Sequence, residues 1–174
     1  MEFNTLVKTH LLPILQKYGF EIAEELKNIV RFQSSVMKVN LVFNDYDKSH
    51  LVELGRQGET LYPLNDSAVK ELWGSALSIE QVTSETFVQN LSLLFETKEG
   101  AEILKGNVNS LKSVIMLRSE KYTSELMQKQ TLEAALRAWE ANDYVAFIES
   151  LDQIDISKIP QSYQLRYKIA KLKL

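Results

Sequence analysis

The feature that most constrains this chain is a change of period near Pro63. Before it, Val39, Leu41 and Phe43 alternate with Lys38, Asn40 and Val42, the two-residue repeat of a strand with one buried face. After it, apolar residues recur every three or four positions to the end, the repeat of amphipathic helices. Strands first and helices afterwards specify an α+β fold, not alternating βαβ units.

The strand half is preceded by a helix. Phe3, Leu6, Val7, Leu11, Ile14 and Leu15 share helical spacing over residues 3–18. Pro13 should kink that helix, and Gly19 supplies the positive φ that commonly ends one. Residues 29–33 and 51–54 read as further strands, with a turn at Ser34-Ser35 and a polar loop over 44–49. Residues 20–26 fit strand or helix; a strand paired with 29–33 is expected, because a lone hairpin is marginal in water. The expected unit is a small antiparallel sheet of three to four strands, covered on one face by the first helix.

In the second half, Asn65-Asp66-Ser67 offers a cap before Val69, Leu72 and Trp73. Ser84-Glu85 opens a helix carrying Phe87, Val88, Leu91, Leu94 and Phe95, which Gly100 should break. Further helices are expected over 107–127, 130–140 and 144–151, and a last one opened by Pro160 with Leu165, Ile169 and Leu172 facing in. Residues 135–147 resemble the junction of two helices in tetratricopeptide-type repeats; a single copy reads as one helical hairpin. Residues 1–65 thus form a helix plus sheet, and residues 66–174 a helical half packed on it as one compact unit.

Composition narrows the function classes. Among 174 residues, 25% are charged and 45% hydrophobic, which specifies a globular rather than disordered chain. There is no cysteine, so disulfide scaffolds, thiolate metal sites and cysteine nucleophiles are excluded. With 20 basic and 23 acidic side chains the net charge is -3, opposite to the basic footprint of nucleic-acid binding. The opening residues lack a secretory pattern, and no run approaches the ~18–20 apolar residues that span a bilayer. The expectation is a cytoplasmic protein without a membrane partner.

A search for chemistry finds little by motif. No Gly-x-Ser-x-Gly is present, and Gly55-Arg56-Gln57-Gly58 has the wrong spacing for a phosphate loop. His10 reads as a helix-surface residue, and neither it nor His50 lies in a motif that marks a general base. Asp45 and Asp47 offer oxygen ligands at alternate positions, but their loop lacks the glycine and distal glutamate of an EF-hand and reads as a turn. Glu21, Glu24 and Glu25 read as a solvated sheet edge. No cofactor, metal or enzymatic activity is expected.

Charge segregation near the C-terminus is the informative signal. Between residues 133 and 155 the acids are Glu133, Glu140, Asp143, Glu149, Asp152 and Asp155, against Arg137 as the only base. From residue 158 onward come Lys158, Arg166, Lys168, Lys171 and Lys173, with no acid. An acidic ridge beside two aromatics suits a basic protein partner, with charge steering the encounter and an aromatic as anchor. The candidate partner-binding residues are Trp139, Glu140, Asp143, Tyr144, Glu149 and Asp152.

Phe3, Leu6, Leu12-Pro13 and Lys17-Tyr18-Gly19-Phe20, followed by Val30-Arg31-Phe32-Gln33, resemble the opening of a loose group of small bacterial α+β proteins. That group includes immunity proteins of polymorphic toxin systems, and the resemblance covers about the first 55 residues. It implies a non-enzymatic interaction protein that binds and blocks a cognate toxin, with a basic toxin domain as partner. Two alternatives stand beside it. One is a small-ligand-binding domain or carboxylate-dependent hydrolase, with Arg31, Lys38, Asn40 and Arg56 in a sheet–helix cleft; the other is an architectural subunit of an assembly.

Overall fold

A computed structural model describes residues 1–174. The fold is α+β, in the order α1 (Phe3–His10), α2 (Leu12–Gln16), β1 (Glu21–Leu26), β2 (Ile29–Gln33), β3 (Met37–Asn44), β4 (Ser49–Arg56), β5 (Tyr62–Pro63), α3 (Asp66–Trp73), α4 (Ser84–Phe95), α5 (Lys98–Leu104), α6 (Asn109–Glu140), α7 (Tyr144–Leu151), a 3-10 turn (Ile156–Lys158) and α8 (Gln161–Leu172). The chain divides into two compact units, Met1–Met116 and Leu117–Leu174, and α6 contributes residues to both.

In the first unit the sheet is an antiparallel meander in the order β1-β2-β3-β4-β5. Its register sets Phe32 against Val39 and Val39 against Leu54, so the apolar residues of three strands share one face. The fifth strand, only two residues long, was not expected: Tyr62-Pro63 pairs with Leu54 and Glu53 at the edge, where proline is tolerated. The ambiguous segment 20–26 is a strand, and the helix before it is interrupted at Leu11, two residues ahead of Pro13, which sits in the first turn of α2. Gly19 has φ 79°, as its place after the last helical turn requires.

The inner face of the sheet is covered by helices from both ends of this unit. Phe3, Leu6 and Val7 of α1, Leu15 of α2 and Leu11 between them join Phe87, Val88, Leu91, Leu94 and Phe95 from α4 in one buried cluster with Phe32, Val39, Leu41, Val52 and Leu54. Val108 and Leu111 close it. Arg31, Lys38 and Arg56 are exposed; Arg31, Lys38 and Asn40 border a shallow depression of about 290 Å³ that also takes in Leu61, while the sheet–helix interface is filled with apolar side chains. The edge glutamates are held in place: Glu24 pairs with Arg31, and Glu25 with Lys8 at 2.9 Å.

Two expectations about helices are corrected. Gly100 does not end a helix; it lies inside α5, which Thr97 caps by accepting from the Gly100 amide at 3.1 Å. A Cβ there would strike the Leu94 carbonyl oxygen and come within 2.7 Å of Phe95 Cα, so glycine is what lets α5 begin directly against the end of α4. Residues 107–127 and 130–140 are not separate helices but one continuous α6, because no glycine, proline or cap divides them. We expect Gly100→Ala to destabilise the protein by at least ~1–3 kcal/mol, since the clash is with backbone and cannot be relieved by a rotamer change. Urea unfolding followed by circular dichroism measures it, and an unchanged midpoint would refute the close approach.

Candidate functional site

The second unit is built on a tight helical hairpin. Asn142 adopts φ 58°, with its amide donating to Trp139 O at 3.0 Å and the Asp143 amide donating to Ala138 O at 2.9 Å. That pattern is a Schellman ending, with asparagine at the left-handed position. Asp143 at once caps α7 by accepting from the Ala146 amide at 3.0 Å, so two helices are joined almost without a loop. Ala135 is fully buried against Phe147, Ile148, Leu151, Ile159 and Ala170, the small side chain allowing close helix approach.

The four acids among the six candidate residues, Glu140, Asp143, Glu149 and Asp152, are all exposed. Glu140 ends α6 and Glu149 lies in α7. Asp143 is occupied as a helix cap, and Asp152 accepts from the Tyr167 hydroxyl at 2.6 Å. Trp139 and Tyr144 are half-buried and packed edge to face at 5.6 Å. The basic helix α8 covers this aromatic pair: the Arg166 guanidinium lies 5.6 Å from the Trp139 ring, and Lys173 Nζ lies 5.0 Å from the Tyr144 ring and donates to its hydroxyl at 3.1 Å. Lys171 sits over Tyr167 at 4.7 Å, and this contact raises its pKa from the ordinary value. The two oppositely charged segments therefore meet within the unit through cation–π contacts.

That packing turns α8 opposite to expectation. Ala170 is buried and Tyr163, Arg166 and Tyr167 are half-buried, whereas Leu165, Ile169 and Leu172 face solvent. Pro160 stands at the cap, one position before the helix. Ten of the seventeen large apolar side chains exposed in the protein lie in Leu117–Leu174, a third of its length.

Two of them, Met127 and Ile156, line two clefts that the sequence did not reveal. The segment between α7 and α8 runs between them. One cleft, about 560 Å³, is lined by Thr123, Met127, Gln128 and Thr131 of α6 and by Ile154 and Asp155. The other, about 610 Å³, is lined by Leu151, Ile154, Ile159, Tyr167 and Lys168. The dividing segment is fixed by side chains: Gln128 donates to Lys158 O at 3.0 Å, Gln164 to Ile159 O at 2.8 Å, and Asp155 accepts from the Ser157 amide at 2.9 Å. Those bonds to Ser157 also hold the Asp155 carboxyl below its usual pKa. Ile156, at the head of the 3-10 turn, is 77% exposed.

The first unit holds a second polar arrangement. His50 on β4 is buried, stacked between Phe43 at 4.9 Å and Phe87 at 4.4 Å, with Phe3 at 5.9 Å. Its Nδ1 lies 3.3 Å from Glu80 O, an acceptor only, so Nδ1 carries the proton and Nε2 is the acceptor. The Ser84 hydroxyl, at the start of α4, lies 3.0 Å from Nε2 and donates to it. Thirty-four residues separate the pair, so no local motif could announce it. The loop aspartates have ordinary turn roles: Asp47 accepts from the Ser49 amide at 3.0 Å and Asp45 from Asn28 at 2.6 Å.

Comparison with protein-family models, with curated proteins and with solved structures finds no match. No helix is long and apolar enough to cross a membrane.

Burial pushes the His50 pKa below its ordinary 6.5, and the groups that touch it, three phenyl rings, the Ser84 hydroxyl and the Glu80 carbonyl, bring no negative charge. The unfolded chain then binds the proton more readily than the folded one. The stability His50 contributes is complete above about pH 6.5 and is lost as pH falls from there through the lower folded value. Melting temperatures taken from about pH 7.5 to 5 should fall, and the part due to His50 should vanish in His50→Asn; equal slopes in both proteins would contradict the assignment.

Proposed function

We propose that this protein acts by binding another protein through its helical unit, covering the partner without chemistry on it. The observation that carries this reading is Ile156, held outward on a hydrogen-bonded turn between two clefts with apolar walls. An apolar side chain on a fixed segment loses little conformational entropy on docking and makes an efficient anchor. The concentration of exposed apolar side chains in the same unit supports it, because such surface is costly to leave in water.

The finer reading is an immunity protein that binds and blocks a basic toxin domain. It rests on the resemblance of the opening residues and on the exposed acids Glu140 and Glu149. These two would steer a basic partner, whereas Trp139, Asp143, Tyr144 and Asp152 shape the face by fixing α7 and α8.

Purification of the tagged protein from its own cells should recover one stoichiometric partner, basic if the toxin reading holds. Ile156→Asp, at an exposed position, should leave folding intact and weaken that complex by ~30-fold or more, as expected for an anchor worth ~2 kcal/mol. Glu149→Lys should mainly slow association with a basic partner and flatten its salt dependence. An unchanged complex with Ile156→Asp would remove this surface, and a non-basic partner would remove the toxin reading alone.

A further inference from the structure

We propose that Ser84 and His50 form a nucleophile–base pair that accepts acyl groups from small carboxylic esters, a reactivity of the sheet-bearing unit that goes beyond docking. Three groups stand in the order such a reaction needs: a hydroxyl 3.0 Å from an imidazole nitrogen, and a carbonyl 3.3 Å from the other nitrogen that fixes the tautomer. The imidazole is neutral and cannot rotate, because Phe43 and Phe87 clamp its two faces.

Ser84 is half-buried and lines two cavities, so its hydroxyl is where the pair meets solvent. One cavity, about 420 Å³, also takes in Phe3, Asn28 and Phe43; the other, about 500 Å³, takes in Phe43, Val82 and Lys48. Both are of a size that admits small esters. The amides of Ser84 and Glu85 open α4 ahead of any intrahelical acceptor, and Thr83 caps the next amide, that of Thr86, at 3.1 Å. Two donors at a helix start beside a nucleophile suit a developing oxyanion.

The step balances without a further reactant. Ser84 Oγ bonds to the ester carbonyl carbon as its proton passes to His50 Nε2. The tetrahedral intermediate collapses, the carbon–alkoxy bond breaks, and the alcohol departs with that proton. Water then attacks the acyl-serine and gives a proton to Nε2, which returns it to Ser84 Oγ as the carboxylic acid leaves.

The test is reaction of the full-length protein with a fluorophosphonate probe, read by intact mass and peptide mapping. One adduct on Ser84 is expected, absent in Ser84→Ala and formed at least ~10²-fold more slowly in His50→Asn, the usual worth of a positioned general base. Should His50→Asn fail to fold, an acetyl-Ser84 burst with p-nitrophenyl acetate, absent in a folded Ser84→Ala, decides the matter. No adduct, or an adduct that persists in Ser84→Ala, would overturn the proposal and leave the pair as a packing contact.

Discussion

The first unit depends on one requirement: a single open sheet with an apolar face must be covered, and only helices from outside the meander can cover it. Phe32, Val39, Leu41, Val52 and Leu54 would otherwise face water, at ~25 cal/mol for each Å² of apolar surface left exposed. Helices α1 and α2 arrive from before the sheet and α4 from after it, and they meet over these residues. The arrangement carries the start of α4 to the beginning of β4, which is why Ser84 lands on the His50 ring. The polar pair thus follows from covering the sheet, and its rigidity comes from the Phe43 ring of β3 and the Phe87 ring of the covering helix α4.

The second unit meets a different constraint, size. Its core of fully buried side chains is small, with Ala135, Phe147, Ile148, Leu151, Ile159 and Ala170 as its members. A body this short has too little interior to hide all its apolar residues. It compensates with a shell in which Arg166, Lys171 and Lys173 lie over Trp139, Tyr163, Tyr167 and Tyr144. Cations placed on aromatic faces do here what a second layer of leucines does in larger bundles. The leucines and isoleucines freed by this arrangement are the ones that face solvent.

Much of the fold was legible because its signals are local. Alternation marked β3, Gly19 marked the end of the first helical segment, and the Asn142-Asp143 pair marked the hairpin turn. What misled were inferences that needed a partner. The period of α8 was read correctly, but its face was not: hydrophobicity favours Leu165, Ile169 and Leu172, and only the presence of Trp139 and Tyr144 opposite makes the Tyr163–Arg166–Tyr167 side the better one to bury. Gly100 carries a local meaning, helix breaker, that is overridden by the backbone of α4 lying against it. The acidic candidates were visible as a charge run, but which of them are spent on caps and hydroxyls depends on geometry. His50 and Ser84 are remote in sequence and joined only by the sheet-covering helices.

The contrast between two turns has a practical side for anyone fusing a reporter to this chain. Between α6 and α7 the turn is tightly committed, with the Asn142 and Asp143 amides closing α6 while the Asp143 carboxylate opens α7. Added residues there would part the hairpin. Between β3 and β4 the tip residue Tyr46 is 97% exposed, at the end of a strand pair whose register is already set by eight facing pairs. Foreign sequence inserted at that tip would extend into solvent without disturbing the sheet, as exposed loop tips generally allow. A fluorescent domain or an epitope therefore has a natural place in the interior of this chain.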